Sequence, residues 1–404
     1  MKKILSLIML FVLCFSCKEN KTNTGEIEEV YTINGNLKGV VEGVEITLKL
    51  QSPDYFNNGT EISKTTILKK GGFQFIGKTN KPALYFITVE DTIKKRGDRL
   101  TIPLFLENST INIEAKENEI ATLNAIRSSK YDYQNIKIEG SKSHVQYVDF
   151  QSNLAPITKE TAALWEENTK NWKEKKKLTI DEGINLASRF EVNSDKKKEY
   201  IFNFTKNNFN NSVGQYTAYC AMKFIGVKFS KDQFYRLLSL DTDDVNPILL
   251  NEIKEYSRVS VGADYVDLTF VNSKNKLVKL SSLIEKNKYT LVEFWASWCG
   301  PCRADIPHLK EVYKLYNPEG FNIVSISLDE NKDSWQEAVK EEQMYWKQYI
   351  DTTAFNGDIN KIYKVQGIPA CFLIGPDGKI VTDNMRGSYM DKRLIKMYGN
   401  KFKK

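Results

Sequence analysis

Two cysteines separated by two residues, Cys299 and Cys302, stand in the stretch FWASWCGPCR, Phe294 to Arg303, of a 404-residue chain. They lie where an apolar run from Thr290 to Ala296, with the composition of a buried strand, gives way to a helical pattern beginning near Cys302. A thiol at a helix N-terminus faces unpaired backbone N–H groups and the positive end of the helix dipole, so its thiolate is stabilised and its pKa falls. Such a thiolate attacks disulfides, and a second thiol one helical turn on closes the ring again. Cys299, at the exposed end of the helix, is therefore the candidate nucleophile, and Cys302 the candidate resolving thiol. The other chemistry open to a lone CxxC is half of a zinc site, which needs two more ligands. The available residues, Cys220, Cys371, His144 and His308, form no second CxxC and no HxxxH, and we expect no metal.

Glu293 interrupts the apolar run six residues before Cys299. By strand alternation it shares a face with Leu291 and Trp295. A plain surface glutamate is the alternative. Asp305 stands three residues after Cys302, where it either reaches the thiols or merely complements the helix dipole. Cys371 and Cys220 read as buried small hydrophobes, with a third-thiol role left open for Cys371. His308 reads as a helix-surface residue. Trp165 and Trp172, seven apart, read as one core-facing stripe.

WCGPC followed by Arg303, Asp305, Ile306 and Pro307 resembles the thioredoxin superfamily, and specifically its membrane-tethered TlpA/ResA-like thiol-disulfide oxidoreductases. The resemblance implies that Glu293 is a buried carboxyl of raised pKa that moves the proton to or from Cys302, and it aligns Asp305 with a position where the ResA-like branch has glutamate. It also implies that Pro369 is a cis-proline facing the cysteines, that Ile368 pairs its backbone with substrate, and that Pro307 kinks the active-site helix. Trp295 and Trp298 are expected to shape the rim and pack beneath the motif, and Trp298, Gly300, Pro301, Ile368 and Pro369 to form the substrate-binding surface. The Gly300-Pro301 pair is similar to that of thioredoxin itself and points to a reductant of protein disulfides. No small-molecule cofactor is implied, and re-reduction calls for a membrane electron donor of the DsbD/CcdA kind. A peroxidase of the related AhpC/TSA branch is the rival enzyme, but it would want Thr-x-x-Cys where Ala296, Ser297 and Trp298 stand. A surface binding lipoprotein with an accessory redox module is the non-enzymatic rival.

Residues 1–17 have the form of an export signal, Lys2 and Lys3 followed by an apolar run from Ile4 to Phe15 that is too short for a stable membrane span. Ser16-Cys17 resembles a lipobox, which makes Cys17 the expected lipidation site and the cell envelope, facing the periplasm or on the outer membrane, the expected location. Ordinary cleavage to a secreted protein is the alternative. Residues 18–29 are polar and read as a tether. The net charge of +7 includes Lys2 and Lys3. The remaining basic runs are short and interleaved with acids, which argues for solvated faces and against a nucleic-acid partner. With Cys17 acylated, the few remaining cysteines are no disulfide scaffold, so the close pair is catalytic.

These features fit a multidomain chain with an N-terminal all-β domain (30–140), a helical middle segment (141–260) and a C-terminal α/β thioredoxin fold (261–404). The first has candidate strands at Tyr31–Leu37, Val44–Leu50, Thr65–Leu68, Gly72–Ile76, Ala83–Val89 and Thr110–Ala115, separated by Gly- and Asn-rich turns. Its beginning resembles a small β-domain of unknown function that precedes the redox module in such lipoproteins. In the last domain we expect the central strand, the active-site helix to about Tyr316, a strand at Phe321–Leu328 and a helix near Ser334. A helix at Gly357–Tyr363, strands at Cys371–Ile374 and Lys379–Thr382, and a C-terminal helix from Asp391 should follow.

Overall fold

The computed structural model describes residues 29–51, 63–91, 93–126, 131–223, 227–240, 244–284 and 288–403. The export signal, Cys17 and nearly all of the tether lie outside them.

Eight strands come first: β1 (Tyr31–Lys38), β2 (Glu45–Leu50), β3 (Ser63–Ile67), β4 (Gly72–Gly77), β5 (Ala83–Glu90), β6 (Thr101–Leu106), β7 (Thr110–Lys116) and β8 (Lys137–Glu139). They form two four-stranded sheets, ordered β4-β1-β7-β8 and β3-β2-β5-β6. Period-two patterning drives the packing: Tyr31, Ile33 and Leu37 of β1, and Ile111, Ile113 and Ala115 of β7, all point into the core. The six expected strands are present, and β6 and β8 are additional. In β6, TIPLFL, all six side chains are buried, so no alternation marks it, and Pro103 speaks against a strand. The fold tolerates that proline because β6 is the edge of its sheet. The backbone of Phe105 is satisfied from outside the sheet: its N–H donates to His144 Nδ1 at 3.2 Å and its carbonyl accepts from Ser141 Oγ at 2.9 Å.

Those two residues open the helical segment: α1 (Lys142–Lys173), α2 (Ile180–Asn207), α3 (Ser212–Lys223), α4 (Lys231–Leu238) and α5 (Pro247–Ser257). Ser141 caps α1, and Thr179 with Glu182 forms a capping box on α2. Phe150, Leu154, Ile201 and Phe209 share one continuous core with the sandwich strands. Cys220 is buried in α3, where burial pushes its thiol up to about 12, as befits an inert core residue. The tryptophan stripe is different from expectation. Trp165 and Trp172 are 57% and 78% exposed. The distal half of α1 is tied to α2 by Glu167–Arg189 at 2.8 Å and Glu160–Lys196 at 3.5 Å, and Trp165 leans edge-on against Phe190 at 5.1 Å.

The C-terminal unit runs β9 (Thr269–Val271), β10 (Leu277–Lys279), β11 (Tyr289–Trp295), α6 (Gly300–Tyr316), β12 (Phe321–Ser327), α7 (Lys332–Glu341), β13 (Lys347–Ile350), α8 (Asp358–Tyr363), β14 (Ala370–Ile374), β15 (Ile380–Thr382) and α9 (Gly387–Tyr398). Its sheet is ordered β10-β9-β13-β12-β11-β14-β15, with β11, β12 and β13 parallel and β14 antiparallel to β11. This is the thioredoxin fold, with α7 and β13 inserted between β12 and α8. Helices cover both faces of β11, so it carries an apolar core on each side: Leu291 and Trp295 face one, Val292 and Phe294 the other. Helix α9 begins at Gly387, four residues before the expected start. It docks on α2, where Glu191 accepts from Lys392 and pairs with Arg393 at 3.8 Å.

Candidate active site

Strand β11 ends at Trp295, and the loop Ala296–Trp298 delivers Cys299 as the N-cap of α6. The backbone N–H of Cys302 donates to Cys299 Sγ at 3.2 Å, so the sulfur occupies the place where a capping oxygen would sit. The two cysteines form a disulfide. Cys299 keeps 4% exposure and Cys302 none, so both residues are buried, and Cys299 is not at the open surface as the sequence suggested. Gly300 and Pro301 are exposed at the turn, and Trp298, 62% exposed, stands beside them as a rim. Trp295 lies fully buried beneath.

The loop is held from the neighbouring strand end. Asp329, just past β12, is buried; it accepts from Ser297 N–H at 2.9 Å, from Ser297 Oγ at 2.6 Å and from Ser327 Oγ at 2.5 Å. Arg303, on the first turn of α6, pairs with Glu341 at 2.9 Å and Glu342 at 2.7 Å at the end of α7. The inserted helix therefore braces the helix that carries the thiols.

Glu293 is buried on the Trp295 side of β11. Burial raises its carboxyl to about 7; a hydrogen bond donated by Ser325 Oγ at 2.6 Å pulls down, the Asp305 charge pushes up and Arg386 pulls down. Ser325 in turn accepts from Trp346 Nε1 at 2.8 Å. The surface-glutamate alternative is thereby excluded. Asp305 does not act on the helix dipole alone: it accepts from Arg386 Nε at 2.5 Å and lines, with Glu293, Pro369 and His308, a cavity of about 10 Å³. That volume is about one water molecule. Neither Cys299 nor Cys302 is in its lining.

The Ile368–Pro369 bond is cis, and both residues are half-buried at the start of β14. Register places them correctly, because Ala370 pairs with Phe294 and Cys371 with Glu293, so Pro369 meets the end of β11 from which Cys299 is presented. Cys371 is buried, accepts from Met385 N–H at 3.2 Å, and has its thiol pushed up to about 12 by burial. Pro307 lies within α6. His308 is a correction: instead of standing on the helix surface, it lines the Glu293 cavity and pairs through Nε2 with the buried Asp391 of α9 at 2.7 Å. His144, weighed above as a metal ligand, is committed to the β6 edge, and burial lowers it to about 4.

A sequence family described as Thioredoxin-like matches residues 287–380, and one described as Domain of unknown function (DUF4369) matches residues 31–147. The thiol-disulfide oxidoreductase ResA of Bacillus subtilis is 30% identical over 145 residues, which cover 34% of this chain and 77% of that protein. A probable nucleoredoxin 3 of rice, Oryza sativa, is 34% identical over 109 residues, covering 26% of this chain and 21% of that one. Among solved structures, the thioredoxin domain of a thiol-disulfide oxidoreductase from Bacteroides vulgatus is 30% identical with a TM-score of 0.32, covering 34% of this chain and 98% of that chain. The CxxC at the N-cap of α6, the cis-proline opposite and the match to most of ResA lead to one conclusion: the chain belongs to the ResA-like thiol-disulfide oxidoreductases of the thioredoxin superfamily.

Proposed function

We propose that this protein reduces protein disulfides in the cell envelope. The observation that carries the reading is the N-cap position of Cys299, whose sulfur meets the first-turn N–H of α6. The Cys299 thiolate attacks one sulfur of the substrate disulfide; a mixed disulfide forms and the other substrate sulfur leaves as thiolate. Glu293 in its carboxylate form takes the Cys302 proton, and the Cys302 thiolate then attacks Cys299 Sγ. The second substrate thiolate is released and the enzyme is left with the Cys299–Cys302 disulfide, two electrons having passed to substrate. Trp298, Gly300, Pro301, Ile368 and Pro369 supply the surface on which the substrate chain lies. No small-molecule cofactor enters this cycle.

The disulfide must be re-reduced by a dithiol donor, for which a membrane partner of the DsbD/CcdA kind is the natural class. Lipidation at Cys17 would hold the catalyst at the membrane; among the described residues no helix is long and apolar enough to cross one. The test is insulin reduction with thiol trapping. Cys299→Ser abolishes turnover, and Cys302→Ser accumulates mixed disulfides that resolve on a non-reducing gel. Turnover by Cys299→Ser, or no adducts with Cys302→Ser, overturns the assignment. The direction is read by equilibration in dithiothreitol buffers: a reductant lies near the thioredoxin value of roughly −270 mV, and a disulfide donor near roughly −120 mV.

A further inference from the structure

Helices α1 and α2 form a hairpin whose far end stands off the hydrophobic core shared with the sandwich, which takes nothing from α1 after Leu154 and nothing from α2 before Tyr200. Its tip, residues 170–182, carries five lysines and three acids. Each acid is already paired: Glu174 with Lys170 at 3.9 Å, Glu182 with Lys176 at 3.1 Å and Asp181 with Lys403 at 3.8 Å. Lys173, Lys175 and Lys177 are exposed and make no ion pair among the described residues. The Asp181 contact also brings the C-terminal basic stretch, distant in sequence, to the same end of the molecule. Trp172, 78% exposed, stands in this cluster of cations, and Trp165 lies two turns back on the same face of α1.

An indole is stable at the headgroup level of a bilayer, where one edge of the ring is wet, and lysines beside it are attracted by anionic headgroups. The course of the chain favours that occupant over a soluble partner. Thr32, at the start of β1, pairs with Thr110, whose carbonyl packs against Gly140 just before α1. The tether, residues 18–29, therefore leaves the sandwich beside the near end of α1, and it reaches at most about 40 Å. Helix α1, 32 residues long, extends about 48 Å. Anchorage at Cys17 would thus keep the near end of α1 closer to the bilayer than α1 is long, so the tip can touch the surface.

We infer that the α1–α2 tip docks on an anionic phospholipid bilayer, with Trp172 at the headgroup level and Lys173, Lys175 and Lys177 against the phosphates. This docking is independent of the reductase reading, and the Cys17 anchor enters only in the choice of occupant. Because Glu191 of α2 holds Lys392 and Arg393 of α9, docking also sets how the redox unit is held over the membrane.

The test uses the mature chain, residues 17–404 with Cys17→Ser, which carries neither export signal nor lipid, floated with vesicles of phosphatidylcholine alone or mixed with phosphatidylglycerol. The expected result is flotation with the mixed vesicles only, lost in about 1 M salt as screening shortens the reach of the lysines. Lys173→Gln, Lys175→Gln and Lys177→Gln should each weaken binding about fivefold, and together about a hundredfold. Lys274→Gln, in the turn between β9 and β10, should leave it unchanged. Lipids brominated near the headgroup should quench indole fluorescence in the parent, and Trp172→Phe should lose most of that quenching. No flotation with the mixed vesicles, equal flotation with both kinds, or an equal loss for Lys274→Gln and the tip variants overturns the inference. Retention on polyglutamate beads without vesicle binding also overturns it, and assigns the tip to an acidic protein partner.

Discussion

Glu293 is a carboxyl that burial within the redox unit holds well above its ordinary range. A carboxyl raised from 4.5 to about 7 binds its proton more tightly in the folded protein than in the unfolded chain. Folding therefore takes up a proton between those two pH values, so stability falls as pH rises through this window and is level above it. Replacing Glu293 by Gln removes this pH dependence. Glu293→Gln should gain on the order of 3 kcal/mol over the parent at pH 8 and nothing at pH 4, read from urea unfolding at the two pH values. Parallel pH trends for the two proteins would show that burial does not hold this proton. The same variant should slow release of substrate from the mixed disulfide above pH 7, because Cys302 loses its proton acceptor while Cys299 keeps its N-cap.

At the scale of elements, the site depends on how β11, β12 and their following loops are locked together. Asp329 joins the loop before Cys299 to the end of β12 through three accepted hydrogen bonds while itself buried. Asp329→Ala leaves the Ser297 N–H and two hydroxyls without that acceptor and should cost about 3 kcal/mol. Loss of loop order should lower insulin-reduction kcat/KM by about tenfold, as small displacements of reacting groups do. Asp329→Asn keeps one acceptor oxygen and should lose less in both thermal unfolding and rate; equal losses for Ala and Asn would assign Asp329 to packing alone. Glu293 was legible in the sequence because a carboxylate in an apolar strand stands out against its neighbours. Ser325 and Trp346 were not, because only the β11–β12 register, which sets Glu293 beside Ser325, brings them to it. Pro103 hid β6 because the sequence does not say which strand is an edge. The seven-residue spacing of Trp165 and Trp172 defined a helix face correctly but could not say whether anything packs on it. Spacing was enough for Cys299 and Cys302, since their chemistry is set by position along the chain, whereas Pro369 was reached only through the family resemblance.

At the scale of the whole molecule, the redox unit is fastened to the helical segment, and the fastening is close. On α2, a side chain at Gly183 would stand 2.3 Å from Ser388 Oγ at the start of α9, and Glu191 two turns on holds Lys392 and Arg393 of the same helix. A hydroxyl can rotate away from a single methyl, but a branched side chain must push the helices apart. Gly183→Leu should therefore cost about 1–3 kcal/mol by overpacking. The loss should concentrate in the docking of the two units, since neither the sandwich core nor the cores on β11 include this contact. Hydrogen exchange should rise in α9 and around Gly262, whose N–H donates to the Ile380 carbonyl at 2.8 Å, while β11 and β12 keep their protection. Reduction of hydroxyethyl disulfide should be unchanged, because Cys299 and its cap lie within the redox unit. Unchanged exchange in α9 would mean that Ser388 alone absorbs the added side chain. Faster exchange in α9 with unaltered insulin reduction would mean that the helical segment is a spacer, whose contact with the redox unit has no part in catalysis.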